Sequence, residues 1–190
     1  MVEVLERRQP DLTVILENVH DPHNVSAVLR SCDAVGIATV HLIYNVEERP
    51  ELSRGVSGSA LRWLDIVDHD SIDDCYATLR RQGFRIYATH LDENRVELFD
   101  LDLTGPAALV FGNEQRGVST EAIEGADATV IIPMMGMVRS LNISVACAVS
   151  LYEALRQRRA ANLYQRPRLS TSEINTRLDR WLRRERRLIR

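Results

Sequence analysis

Short apolar segments rich in β-branched residues alternate with longer segments of helical periodicity along the chain. The strand-like segments cover residues 12–16, 39–43, 64–67, 85–89, 107–111 and 129–132, and helical segments cover 25–35, 70–82, 119–126 and 138–159. Segment 107–111 is apolar at every position, which is typical of a strand buried on both faces. The alternation predicts an α/β fold with a mostly parallel sheet and helices on both faces.

Residue types at the segment ends predict where the helices begin and end. Asn24 and Asn142 precede helical runs, so each is a candidate N-cap, and Gly36 is a candidate stop for the first run. Residues 45–60 are rich in Gly, Ser and charge and predict an exposed loop or short helix. Beyond Pro167, apolar residues at helical spacing predict a final helix with one apolar stripe: Ile174, Leu178, Trp181 and Leu182.

Basic residues are distributed unevenly along the 190 residues. All 24 of them are Arg, and twelve lie in residues 156–190 beside only three acidic residues. That segment therefore carries a charge of +9, whereas residues 1–155 carry −12. One interpretation is a polyanion-binding tail on an acidic body, because the planar guanidinium suits phosphate contacts. The alternative is a solvated helix made of good helix formers.

Composition and residue spacing exclude several other classes of protein. No segment has the length and apolar character of a signal peptide or a membrane span. Cys32, Cys75 and Cys147 are odd in number and widely spaced, which predicts reduced thiols and a cytoplasmic location. His20 and His23 have no second ligand pair beside them, so no metal site is predicted.

Three polar segments follow predicted strands, where α/β folds place their ligand sites. They cover residues 19–36, 111–119 and 132–146. The second offers Gly112 for close backbone approach and Glu114 as a carboxylate, and the third offers the polar side chains of Arg139, Ser140 and Asn142. Arg30 in a mostly apolar helix is either a snorkelling surface residue or a site residue. Neither G-x-G-x-x-G nor a Walker loop is present, so a Rossmann-type dinucleotide site is not supported.

Together the three segments resemble the SpoU branch of the SPOUT superfamily of RNA 2′-O-ribose methyltransferases. The first has the form N-x5-R, the second F-G-x-E-x-x-G, and the third I-P-M-x-G-x-x-x-S-L-N-x-S-x-A, in the family's order. The flanking stretches RRQPDLTVILENVH and RQRRAANLYQRPRL extend the resemblance over nearly the whole chain. PHN in the first segment and GMVRSLN in the third favour the TrmH branch, which methylates guanosine 18 of tRNA.

The resemblance implies a catalytic site, a cofactor and a fold. Arg30 takes the position of the family's catalytic arginine. The other polar active-site positions fall on Asn24, Glu114, Ser140 and Asn142. S-adenosylmethionine is expected in a deep C-terminal trefoil knot, in a pocket lined largely through backbone groups by Thr89, Gly112, Ile132 and Leu141.

The resemblance also implies a domain organisation and partners. An N-terminal extension over residues 1–11 is expected to precede a methyltransferase domain over 12–159, and an Arg-rich RNA-binding helical extension is expected over 160–190. The family is dimeric with its active site at the dimer interface, so a homodimer is expected. RNA contacts are expected from Arg8, His23, Arg158, Arg166 and Arg168.

The implied reaction is methylation of a ribose 2′-hydroxyl in tRNA, with guanosine 18 of the D-loop as the favoured target. A ribosomal RNA ribose methyltransferase is the alternative within the class. Ribosomal members usually carry a separate N-terminal RNA-binding domain, whereas eleven residues precede the first predicted strand here. A non-catalytic RNA-binding protein of the same fold is a third interpretation. The argument against it is that four polar site residues are intact: Arg30, Glu114, Ser140 and Asn142. The residues leave open whether Arg30 acts as a base or only positions the hydroxyl.

Overall fold

The computed structural model of the chain describes residues 1–50, 60–91 and 95–186. Its elements are α1 (Val2–Glu6), β1 (Leu12–Glu17), α2 (Pro22–Ala34), β2 (Thr39–Ile43), α3 (Ala60–Trp63), β3 (Asp65–His69), α4 (Ile72–Arg81), β4 (Arg85–Thr89), β5 (Arg95–Glu97), β6 (Ala107–Phe111), α5 (Thr120–Gly125), β7 (Ala128–Ile131), α6 (Ile143–Ala160) and α7 (Thr171–Arg186). Most of the loop expected at 45–60 and the end of the Arg-rich tail lie outside the described residues. None of the described helices is long and apolar enough to cross a membrane.

The strands form one seven-stranded sheet in the order β3-β2-β1-β6-β4-β7-β5. Every pairing between these strands is parallel, which confirms the predicted α/β fold with a mostly parallel sheet. The neighbouring strands β1 and β6 are buried along their whole length, which the sequence predicted for β6. The short, charged strand β5 was not predicted, because three residues give no readable alternation.

Helices cover both faces of the sheet. On one face, α2 and α6 pack together over alternate residues of β1, including Val14 and Leu16. On the other face, α4 and α5 pack over Ile15 and Ile43. Because all strands run in one direction, the loops after β1, β4, β6 and β7 leave from the same edge of the sheet.

Helix α2 begins three residues earlier than the sequence predicted, and a different residue caps it. The side chain of Asp21 accepts a hydrogen bond from the backbone amide of His23, and Pro22 is the first helical residue. Proline is favoured at this position because its missing N–H needs no partner. The predicted N-cap, Asn24, therefore lies inside the first turn, and its amide is available for contacts outside the helix. The prediction for Asn142 is confirmed, because its side chain caps α6.

The C-terminal helix α7 packs against the body of the protein. Trp181 is buried there and meets Trp63 edge-on, with 5.1 Å between the ring centroids. Arg177 and Arg180 both form ion pairs with Asp65. Part of the positive charge of the tail is therefore neutralised by the acidic body.

Two of the five expected RNA contacts are internal residues, so the prediction is wrong for them. Arg8 is 1% exposed and Arg158 is 0% exposed. Arg8 pairs with Asp33 at 2.5 Å, and Arg158 pairs with Asp11 at 2.7 Å. A buried guanidinium needs such partners to offset its desolvation. Neither side chain can reach a phosphate without breaking these interactions.

Candidate active site

The loops that follow β4, β6 and β7 line a cavity of about 600 Å³. These three strands are neighbours in the sheet, so their carboxyl ends bring the loops together. The volume lies within the range of roughly 300–1,000 Å³ that is common for small-molecule sites. The lining includes all four predicted cofactor residues and several predicted polar ones: Thr89, Gly112, Ile132, Leu141, Glu114, Arg139, Ser140 and Asn142.

A chain of side-chain hydrogen bonds joins three of the predicted active-site residues. Asn24 donates through Nδ2 to Oε1 of Glu114 at 2.9 Å. Asn142 donates through Nδ2 to Oδ1 of Asn24 at 3.1 Å. Oδ1 of Asn142 in turn accepts from the backbone amide of Ser144 at 2.8 Å, which fixes the orientation of the amide. The start of α2, the loop after β6 and the start of α6 therefore meet at one point.

Glu114 is held as a carboxylate by its surroundings. Partial burial by itself would raise its pKa, but the hydrogen bond from Asn24 and those from backbone amides together lower the pKa below its usual range. Two of these amides belong to His20 and Asp21, at 3.1 and 3.2 Å. Glu114 therefore carries a negative charge at neutral pH.

A second cavity of about 380 Å³ lies beside the first. Asn113, Glu114, Gln115 and Arg116 line both cavities. Asn24 lines only the second, whereas Asn142 lines only the first. The hydrogen bond between the two asparagines therefore crosses the boundary between the cavities. Two reactants can be held on opposite sides of this boundary.

The loop after β6 depends on the absence of a side chain at Gly112. A Cβ there would lie 2.1 Å from the carbonyl oxygen of Gly117, which is backbone and cannot turn away. Gly117 itself adopts a φ of 71°, and its amide donates to the carbonyl of Asn113 at 2.8 Å. This tight loop sets the position of Glu114.

Two buried asparagines that the sequence did not point to support the same loop. Asn113 donates through Nδ2 to the carbonyl of Asn18 at 2.8 Å and accepts from the amide of Gln115 at 2.9 Å. Asn18 has a φ of 51°, a conformation that asparagine tolerates better than most residues. Its Oδ1 accepts from three successive amides of residues 45–47. An asparagine directly after a strand was the only available signal.

The structure does not bring every predicted site residue into this cluster. Arg30 is exposed on α2, outside the cavity lining, and forms no hydrogen bond or ion pair with any other residue that the structure describes. Thr89 reaches the cavity, but its hydroxyl donates to the carbonyl of Val110 at 2.8 Å. Of the remaining expected RNA contacts, His23 and Arg166 are exposed, and Arg168 is paired with Asp11 at 2.7 Å.

Comparison with known proteins gives a consistent picture. A sequence profile of the SpoU rRNA Methylase family matches residues 11–152. The tRNA (guanosine(18)-2'-O)-methyltransferase of Thermus thermophilus is 48% identical over 181 residues, which cover 95% of this chain and 93% of that protein. The crystal structure of the A. aeolicus TrmH/SpoU tRNA modifying enzyme has a TM-score of 0.91 at 40% identity, over 97% of this chain and 93% of that one. The SpoU methyltransferase AviRb from Streptomyces viridochromogenes, in complex with the cofactor AdoMet, has a TM-score of 0.70 at 30% identity, over 82% of this chain and 59% of that one.

Proposed function

The chain belongs to the SpoU methylase family, and we propose on this premise that it transfers a methyl group from S-adenosylmethionine to the ribose 2′-hydroxyl of guanosine 18 in tRNA. The hydrogen-bond chain from Glu114 through Asn24 to Asn142 carries this proposal, because it lies between two adjacent cavities. Similarity over nearly the full length of a guanosine-18 tRNA methyltransferase favours tRNA over ribosomal RNA as the substrate.

The residues of the larger cavity fit the cofactor. Its wall combines apolar side chains such as Ile132 and Leu141 with the carboxylate of Glu114. The apolar part suits an adenine ring, and the ionised carboxylate contributes a negative potential that favours a sulfonium cation. Gly112 also lines this cavity, and the absence of a side chain there lets the loop after β6 fold tightly against Gly117.

The residues at the boundary align the acceptor. S-adenosylmethionine, when bound, supplies an electrophilic methyl group on a positively charged sulfur. It would be held in the larger cavity by residues such as Ile132, Leu141 and Glu114, and the 2′-hydroxyl would lose its proton to solvent on accepting the methyl group. Glu114 fixes the amide of Asn24, and Asn142 fixes the start of α6, so the polar groups beside the acceptor are preorganised.

Arg30 is a poor base because the pKa of a guanidinium exceeds about 12. We therefore assign it the binding of a neighbouring phosphate and the orientation of the hydroxyl.

A homodimer is part of the proposal. The loop before α6 exposes Met135 and Met137, at 94% and 99%, and α6 exposes Val145 and Tyr152. Exposed apolar groups of this size mark interaction surfaces. A second copy that covers them would bury the apolar loop and place the site at an interface. A shared site also accounts for Arg30, which is exposed and outside the cavity lining of its own chain.

The finer features of the fold are included in the same proposal. The cavity built from three loops after β4, β6 and β7, together with the overall likeness to the A. aeolicus enzyme, supports a C-terminal trefoil knot in the methyltransferase domain over residues 12–159. The exposed arginines of the C-terminal segment support an RNA-binding extension over 160–190. Three unpaired cysteines support a reducing, cytoplasmic location.

A labelled-methyl transfer assay tests the proposed function. The protein is incubated with tritiated S-adenosylmethionine and either an unmodified tRNA transcript or unmodified ribosomal RNA. We expect label in tRNA and none in ribosomal RNA. Label only in ribosomal RNA would establish the alternative within the family, and label in neither RNA would indicate a non-catalytic RNA-binding protein.

A further inference from the structure

Three potential metal ligands lie together under the edge of the sheet, away from both cavities. The nitrogen atoms of His41 and His69 and the sulfur of Cys75 all lie within 4.8 Å of one another. All three side chains are buried, and none of them lines either cavity. His41 and His69 belong to the adjacent strands β2 and β3, and Cys75 belongs to the first turns of α4. The ligands are therefore held by rigid elements rather than by loops.

A carboxylate orients one of the two imidazoles. Nδ1 of His69 is 2.7 Å from Oδ2 of Asp74, and Nε2 of His69 is 2.8 Å from Nδ1 of His41. The carboxylate accepts a hydrogen bond from Nδ1–H of His69, so Nε2 of His69 presents its lone pair toward His41 and Cys75. Metal-bound histidines commonly have this outer carboxylate, because it fixes the tautomer and raises the basicity of the ligand nitrogen.

We propose that His41, His69 and Cys75 form a binding site for Zn²⁺, with Asp74 as the outer partner of His69 and water as the fourth ligand. Two imidazoles and one thiolate are the donors that Zn²⁺ prefers, whereas Mg²⁺ and Ca²⁺ require oxygen ligands. Zn–N bonds of about 2.0–2.1 Å and a Zn–S bond of about 2.3 Å place tetrahedral ligand atoms roughly 3.3–3.7 Å apart. The two imidazole nitrogens must therefore separate by about half an ångström when the ion enters.

Proton balance makes metal binding at this site dependent on pH. Burial, and next the charge of Asp74, raise the pKa of the Cys75 thiol to about 12, so the metal-free cysteine is protonated at neutral pH. Binding forms a Zn–S bond and releases one proton from the thiol to solvent. The side chain of Asp74 is 59% exposed, so the outer partner of His69 lies at the protein surface.

The sequence suggested no metal site because His41 is far along the chain from the other two ligands. His41 and His69 are 28 residues apart, and only the parallel pairing of β2 with β3 brings them together. His69 is the last residue of β3, and Cys75 lies in the first turn of the helix that follows, α4. No known spacing motif of metal ligands would have indicated these three residues.

A Co²⁺ titration of the reduced, metal-free full-length protein tests the site. Co²⁺ occupies Zn²⁺ sites, and a cobalt–thiolate bond gives a strong charge-transfer absorption in the near ultraviolet. We expect this band to saturate at one equivalent per chain and to disappear when Zn²⁺ is added. Cys75→Ala should remove the band, whereas the matched control Cys32→Ala, at another buried cysteine, should keep it. Circular dichroism verifies that each variant is folded.

Thermal unfolding provides a second readout that needs neither RNA nor cofactor. Zn²⁺ should raise the unfolding midpoint of the wild-type protein and of Cys32→Ala, but not of His69→Gln or Cys75→Ala. A folded wild-type protein that shows no cobalt–thiolate band would overturn the proposal, and so would a band that persists in Cys75→Ala. Either failure leaves the proposed methyl transfer unaffected, because the ligands lie outside both cavities.

Discussion

Asn24 connects the two cavities because both ends of its side-chain amide are bonded. Its Nδ2 donates to Glu114 and its Oδ1 accepts from Asn142. An asparagine at an N-cap would use that oxygen for a backbone amide of its own helix. Asp21 takes the capping role instead, and the start of α2 at Pro22 places Asn24 one turn further in. A shift of three residues in one helix start thus changes a capping residue into a site residue.

Substitution of Arg30 should affect the rate of methyl transfer without affecting the affinity for the cofactor. We expect Arg30→Ala to lower the rate of methyl transfer by roughly 100-fold or more, because the 2′-hydroxyl is no longer held in the reactive orientation. Cofactor affinity should be nearly unchanged, since Arg30 lies outside the cavity lining. Single-turnover transfer and isothermal calorimetry measure the two quantities. Loss of cofactor binding, with a mass by light scattering equal to that of the wild type, would show that the role is misassigned.

Gly112 should be intolerant of even one added methyl group. In Gly112→Ala the new Cβ meets the backbone of Gly117 and Val118, so the loop after β6 must move. Overpacking of this kind costs about 1–3 kcal/mol of unfolding free energy. We expect a lower thermal midpoint and weaker cofactor binding in the calorimeter. Gly105→Ala is the matched control, because its Cβ would have nothing within 4 Å. Equal behaviour of the two variants would contradict the tight-loop interpretation.

At the scale of single elements, the sequence predicted the bounds of three strands correctly. The observed bounds of β2, β4 and β6 match the predicted 39–43, 85–89 and 107–111. Strand β3 covers Asp65–His69, so it begins and ends later than the predicted 64–67. Its last residue, His69, pairs with Ile43 of β2 in the sheet. Helix α1 has only five residues, and its position depends on the burial of Leu5.

The site was predictable only to the extent that its residues follow strands. Glu114 and Asn142 were placed at one edge of the sheet because each comes after a strand in a parallel arrangement. The contact between Asn18 and Asn113 spans 95 residues and depends on a positive φ, neither of which a residue pattern reveals. Arg8 and Arg158 were misassigned for the same reason, because the carboxylates that pair with them are distant in sequence.

The pairing of β2 with β3 should make the metal-free protein sensitive to mild acid. Burial, and next the nearby His69, lower the pKa of His41 to about 4. In the unfolded chain this histidine binds a proton near its ordinary pKa of about 6.5, whereas in the folded protein it does so only near about pH 4. The contribution of neutral His41 to the unfolding free energy is therefore present above about pH 6.5 and is lost as the pH falls toward about 4.

We therefore expect the unfolding free energy, measured by urea denaturation of metal-free protein, to fall between about pH 6.5 and about pH 4. His41→Gln should show a smaller fall over the same interval, because glutamine does not titrate. Carboxylates with lowered pKa values, such as Glu114, also reduce the unfolding free energy as the pH falls. This contribution is the same in both proteins, so it cancels when they are compared. Identical pH dependence of the two proteins would contradict the assignment to His41.

On the scale of the whole molecule, the charge asymmetry is smaller in the folded protein than in the sequence. Arg158, Arg168, Arg177 and Arg180 of the positive segment all pair with acidic residues of the body. Removal of the segment beyond Arg166 would uncover Trp63 and leave Asp65 without its arginines. A truncation would therefore disturb the fold as well as RNA binding, so charge substitutions are the better test of the tail.

The exposed arginines of this segment should supply much of the affinity for RNA. We expect a triple variant in which glutamine replaces Arg159, Arg166 and Arg183 to bind tRNA more weakly while binding the cofactor normally. Removal of one arginine–phosphate interaction should reduce the slope of log affinity against log salt by about 0.7–0.9. Filter binding at several salt concentrations measures that slope. Arg81→Gln, an exposed arginine of α4, is the control and should change neither value. An unchanged slope in the triple variant would show that the tail is only a solvated helix.

The most direct test of the proposed function is the position and chemical identity of the methyl group. A tRNA transcript is incubated with the protein and S-adenosylmethionine, digested, and examined by nucleoside and fragment mass spectrometry. A matched transcript carries 2′-deoxyguanosine at position 18. We expect one 2′-O-methylguanosine, located at position 18, and no methylation of the deoxy transcript. A methyl group on a base, at another position, or equally present in the deoxy transcript would contradict the proposed function.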